Sequence, residues 1–99
     1  MIATIDIPAD HPAFAGHFPR NPILPGVVLI DETLQAIASL TGVSLNHCYL
    51  TSIKFLNVVR PGQALTLQFQ HEPPNTFRFE LVASGQTAAK GSFTIISAK

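Results

Sequence analysis

Two histidines and two adjacent carboxylates are the side chains of this sequence best suited to chemistry: His11, His17, Asp31 and Glu32. A histidine titrates near pH 6.5 and can take up and return a proton under neutral conditions. A carboxyl group in apolar surroundings stays protonated longer and can hold or deliver a proton. His17 lies in Gly16-His17-Phe18-Pro19, with Pro12 and Pro19 bracing it on either side. Such preorganisation is what a catalytic side chain needs. The residues alone also allow His17 to be an ordinary polar loop residue. A His11/His17 metal pair lacks a nearby cysteine or an evident third ligand, so no metal is expected. Asp31 and Glu32 are neighbours on a helical pattern and point about 100° apart, so only one turns inward. Periodicity leaves open that both are solvated near a helix N-terminus, where negative charge is favourable. Leu34 and Ala38 flank the Asp31 face and favour its burial. Asp31 and Gln35 are four apart and share that face.

The elements that must position these groups follow from the pattern of the chain. Residues 8–26 hold Pro8, Pro12, Pro19, Pro22 and Pro25, five of the eight prolines. Proline lacks the amide donor and fixes φ, so this stretch reads as a long, stiff loop. Pro19-Arg20-Asn21-Pro22 and Pro22-Ile23-Leu24-Pro25 match P-x-x-P, but they run straight into an apolar segment. A rigid internal loop is therefore expected, not an exposed adaptor ligand. Residues 26–41 read as a helix, opened by Pro25-Gly26 and stopped by Gly42. Val27, Val28, Leu29, Ile30, Leu34, Ile37, Ala38 and Leu40 nearly encircle it, so it is expected inside a wrapping element. Residues 1–7 alternate as a strand, with Ala3, Ile5 and Ile7 on one face. Residues 49–59, 64–71, 77–82 and 88–97 carry further strand patterns. Arg60-Pro61-Gly62-Gln63, Glu72-Pro73-Pro74-Asn75 and Ser84-Gly85-Gln86 mark the turns between them. The expected fold class is α+β. One long central helix lies across a curved antiparallel sheet of about five strands, in a single domain spanning 1–99.

Composition narrows the function classes. The 99 residues are 46% hydrophobic and 12% charged, with six basic residues against six acidic ones. A nucleic-acid binder of this size shows a basic excess, which is absent here. The longest apolar run, residues 27–30, is far short of a membrane span. No signal-peptide pattern opens the chain, and Cys48 is its only cysteine, so a cytoplasmic protein with one inert thiol is expected. So little charge also does little to keep copies apart, which points to an oligomer.

The segment from Gly16-His17-Phe18-Pro19 through Pro22, Pro25-Gly26 and Asp31 to Gln35 closely resembles the signature of the hot-dog-fold 3-hydroxyacyl-[acyl carrier protein] dehydratases of the FabA/FabZ type. Lys54-Phe55 and Arg60-Pro61-Gly62-Gln63 resemble the next strand and turn of that family, so the likeness covers most of the chain. The resemblance implies dehydration of 3-hydroxyacyl thioesters to trans-2-enoyl thioesters, in fatty-acid or related lipid biosynthesis, without a cofactor. It assigns His17 the role of catalytic base and makes Asp31, not Glu32, the acid. It makes Gly26 the residue whose backbone N–H polarises the thioester carbonyl, and Gln35 the support of the acid. It further implies a homodimer whose active sites take His17 from one subunit and Asp31 from the other, with a trimer of dimers as a further assembly. Aspartate at position 31 is the FabA-branch choice, where the FabZ branch has Glu. Val27 stands where isomerising members have Cys, so isomerase activity is not expected. Arg20 replaces a usually small residue. The sequence is similar to short stand-alone members, some of which serve aryl-polyene or other specialised lipid pathways. Acidic carrier proteins would meet Arg20, Lys54, Arg60 or Lys90 if these form a local basic patch. A hot-dog acyl thioesterase and a non-catalytic acyl-binding subunit are the alternative functions.

Overall fold

A computed structural model of the chain describes residues 1–7, 10, 23–44 and 47–96. The element order is β1 (Ile2–Asp6), α1 (Gly26–Thr41), β2 (Cys48–Phe55), β3 (Ala64–Glu72), β4 (Thr76–Ala83) and β5 (Gln86–Ile95). The five strands form one antiparallel sheet in the order β1-β3-β4-β5-β2. The helix connects β1 to β2, which lie at opposite edges. One helix against an open five-stranded antiparallel sheet is the hot-dog arrangement, as the sequence leads one to expect.

The helix has the expected bounds, for local reasons. Pro25 is extended, at φ −61° and ψ 145°, and its carbonyl accepts hydrogen bonds from Val28 (3.0 Å) and Leu29 (3.2 Å). Gly42 closes the other end in the left-handed conformation, at φ 74°, and donates to the Ala38 carbonyl at 2.9 Å. That conformation strains a residue with a Cβ and is open to glycine.

Alternation builds the core. Leu65, Leu67 and Phe69 of β3, and Phe77, Phe79, Leu81 and Ala83 of β4, are buried on one sheet face with Ile5 and Phe93. Phe77 stacks on Phe93 at 5.4 Å between ring centroids. The helix adds Leu29, Thr33 and Ile37, a single stripe at spacings of four. The Thr33 hydroxyl is satisfied inside the core, where it donates to the Leu29 carbonyl at 2.8 Å. Encirclement by its own chain is therefore not what the helix receives. Val27 is 79% exposed and Leu40 is 47% exposed, because one sheet reaches only one side of a cylinder.

Two strand bounds also depart from the sequence reading. Strand β2 ends at Phe55 instead of running to 59. The β4–β5 ladder slips between Leu81 and Val82, and the carbonyl of the extra residue, Ala88, takes the amides of both Leu56 (2.8 Å) and Asn57 (3.2 Å). The chain then leaves the sheet, and the Val59 carbonyl receives the Leu24 N–H at 2.7 Å. Strand β5 starts at Gln86, two residues earlier than expected, because Ser84 (φ 50°) and Gly85 (φ 77°) alone make the turn. It also ends early, at Ile95 and not at the expected Ser97, with Ile96 already outside the strand. Of the expected stiff loop, residues 8–9 and 11–22 lie outside the described residues.

Strand β2 approaches β5 closely at Gly91. A Cβ there would clash with the Ser52 carbonyl oxygen, beside a bulge in the β2–β5 pairing between Leu50 and Ser52. Backbone cannot step aside as a side chain does. Gly91→Ala is expected to destabilise the fold by about 1–3 kcal/mol through overpacking. A urea titration that leaves its midpoint unchanged would contradict this contact.

Candidate active site

The groups the structure gathers are Asp31, Gln35 and the amino end of α1. The Gln35 Nε2 donates to the Asp31 Oδ2 at 2.7 Å. This is the i, i+4 pairing read from the sequence. One carboxylate oxygen is thus oriented by a neutral amide.

Burial of Asp31 among Leu34 and Ala38 is not observed. Leu34 and Ala38 are half-buried, while Asp31 and Gln35 are exposed. The reason is angular. Asp31 lies two residues after Leu29 and two before Thr33, roughly 160–200° around the helix from the core stripe. It therefore points away from its own sheet, in line with exposed Val27 one turn earlier. Glu32 is half-buried on a neighbouring face.

Gly26 opens the helix, and no side chain caps the turn that it begins. The first amides of a helix have no partner within it and carry the positive end of its dipole. They offer donors to a developing negative charge. Leu24, buried and tied to Val59, fixes the approach of the chain to this point. Sequence reasoning attached no role to Phe55, yet the tip of its ring lies against Gly26. Nothing in the local pattern pairs positions 26 and 55; only the sheet edge brings them together.

His17, His11 and Arg20 lie outside the described residues. Of the expected basic patch, Lys54 and Lys90 face each other directly across β2 and β5 on the outer sheet face, both exposed. Arg60 sits apart, in the turn before β3. Arg78 shares the outer face near the two lysines and pairs with Glu72 at 2.7 Å. Cys48 is half-buried, and burial pushes its thiol above the ordinary range, which lowers the fraction of reactive thiolate. No helix of the described residues is long and apolar enough to cross a membrane.

A single helix laid against an open five-stranded antiparallel sheet, among the described residues, with Asp31 and Gln35 paired on its outward face, defines a hot-dog protein. Residues 1–92 match the model of the ApeI-like family, described as ApeI dehydratase. The chain belongs to this ApeI-like dehydratase family. The 3-hydroxyacyl-[acyl-carrier-protein] dehydratase FabZ of Ehrlichia chaffeensis is 38% identical over 87 residues, which are 81% of this chain and 61% of that protein. The FabZ of Rickettsia massiliae is 29% identical over 101 residues, covering 90% of this chain and 70% of that one. The chain thus spans about three fifths of the Ehrlichia relative's length. Among solved structures, the dehydratase heterocomplex ApeI:P from Xenorhabdus doucetiae superimposes with a TM-score of 0.85 at 26% identity. That match covers 97% of this chain and 86% of the other.

Proposed function

We propose that this chain dehydrates 3-hydroxyacyl thioesters carried on acyl carrier protein to trans-2-enoyl thioesters, in cytoplasmic fatty-acid or related lipid synthesis. The observation that carries the reading is Asp31 held at 2.7 Å by Gln35 on the open face of the helix that Gly26 begins. His17 takes the α-proton as base. Negative charge moves onto the thioester oxygen, where the Gly26 N–H and the helix dipole stabilise it. Asp31 is the acid that holds the departing hydroxyl and gives it a proton as the bond to C3 breaks. Water leaves, the enoyl double bond forms, and the proton gained by His17 passes back to Asp31 through solvent. No metal or cofactor enters these steps.

The active unit is a homodimer. Strand β2 is an edge strand whose Tyr49 and Leu50 are exposed, and exposed apolar Leu56 and Val58 follow its end. An apolar open edge invites pairing with another chain. A second copy added there joins the two sheets and covers the helix face that carries Val27, Asp31 and Gln35. His17 of one subunit then works with Asp31 of the other. Because the Xenorhabdus structure is a heterocomplex, a partner of different sequence is the competing arrangement. The mass of the purified chain in solution separates the two. Lys54 and Lys90, opposed in the ladder, would meet the acidic surface of the carrier protein.

The test is incubation with 3-hydroxyacyl carrier proteins of graded chain length and identification of products by mass. Enoyl thioester with loss of one water is the expected product. Release of free acid and thiol without enoyl product would make the chain a thioesterase. Binding without turnover would make it an acyl-binding subunit.

A further inference from the structure

The ring of Phe55 meets the start of the helix end-on. A Cβ built on Gly26 would lie 2.7 Å from Cζ, 2.9 Å from Cε1 and 3.2 Å from Cε2 of Phe55. The ring therefore occupies the space next to the Gly26 α-carbon that any other residue would fill. Yet Phe55 lies outside the buried core and is 52% exposed.

Its base is held firmly. Phe55 is in register with buried Ala89. The two residues after it are clamped by the Ala88 carbonyl, and Asn57 Nδ2 adds a bond to the Thr87 carbonyl at 2.8 Å. Ile53, on the same strand face, packs into the core. The backbone is anchored on both sides of the ring, while the outer half of the ring faces open space beside the helix amides. An anchored aromatic with one free side, touching a glycine at a donor-bearing helix end, has the geometry of a wall for a ligand.

We propose that Phe55 is a positioning residue for the thioester: its ring forms the apolar wall that seats the carbonyl against the Gly26 amide and keeps water from it. This rests on the reading of Gly26 given above. The thioester sulfur and its neighbouring methylenes are weakly polar and pack well on an aromatic ring. The carbonyl oxygen then has one good donor in reach, the backbone N–H. Displacing water there strengthens that hydrogen bond as charge builds. Contact at the carbonyl end also makes the role independent of acyl length.

Turnover by Phe55→Ala and Phe55→Leu on 3-hydroxybutyryl and 3-hydroxydecanoyl carrier-protein thioesters tests this, alongside the intact chain. Phe55→Ala is expected to lower kcat by about a hundredfold, the effect of misplacing a reacting group by an ångström. The loss should be equal for both chain lengths, with KM changed much less, and Phe55→Leu should fall in between. A carbon-13-labelled carbonyl in a non-reacting acyl thioester should show its infrared stretch shifted down on binding to the intact chain. Phe55→Ala should lose most of that shift. Wild-type kcat and an unchanged carbonyl stretch in Phe55→Ala would overturn the proposal, as would a loss confined to the long chain. If the intact chain forms no enoyl product from either substrate, it is the dehydratase reading that fails, and the carbonyl stretch still reports on Phe55.

Discussion

Replacing His17 or Asp31 by alanine is expected to remove formation of the trans-2-enoyl thioester. Each group has one half of the proton traffic, and losing a general acid or base typically costs about 10²–10⁴-fold in rate. For Asp31 the fold should be spared. Its side chain is exposed, faces away from the core stripe and has Gln35 as its hydrogen-bond partner. Alanine is also the better helix former. Asp31→Ala is thus expected to melt at or slightly above the wild-type temperature while its turnover disappears. Asp31→Asn keeps the shape and the Gln35 contact geometry but cannot supply the proton, so it should be equally inactive. Product analysis by mass together with a thermal melt checks both halves. A folded Asp31→Ala variant turning over at the wild-type rate would sink the assignment.

Mixing the two variants is expected to restore activity if the proposed shared sites are correct. Asp31 points away from its own sheet, and the face it shares with Val27 is uncovered by its own chain. If each site takes His17 from one subunit and Asp31 from the other, a dimer of one His17→Ala chain and one Asp31→Ala chain has one intact site and one doubly damaged site. Random reassortment makes half of the dimers mixed, so about a quarter of the wild-type sites return. Co-refolded or co-expressed variants should therefore reach about a quarter of wild-type turnover, against almost none for either alone. No recovery, in a sample shown by mass to contain mixed dimers, would place both residues of a site in one chain.

Legibility from the sequence differs sharply between the elements. The helix was readable to the residue, since Pro25, Gly26 and Gly42 act through their own backbone geometry and require no distant partner. Strands β3 and β4 were nearly as clear, because alternation with Leu65, Leu67, Phe69 and Phe77, Phe79, Leu81 reports directly which face is buried. Strand β2 was not. Its sequence keeps strand-forming residues to Val59, but the bulge at Ala88, on another strand, ends the ladder at Phe55. The site shows the same division. The i, i+4 spacing of Asp31 and Gln35 foretold their hydrogen bond, whereas their exposure depended on which stripe of the helix met the sheet.

By itself, the sequence determined the elements, their turns, the family and the residue types at the site, since these rest on local backbone preference and on a motif written contiguously along the chain. Only the tertiary structure decided the strand order that leaves β2 on an edge, the outward direction of Asp31, and the seating of Phe55 on Gly26. Those depend on pairings between residues tens of positions apart. Loop closure, register and bulges set such pairings, and no short stretch of the chain encodes them.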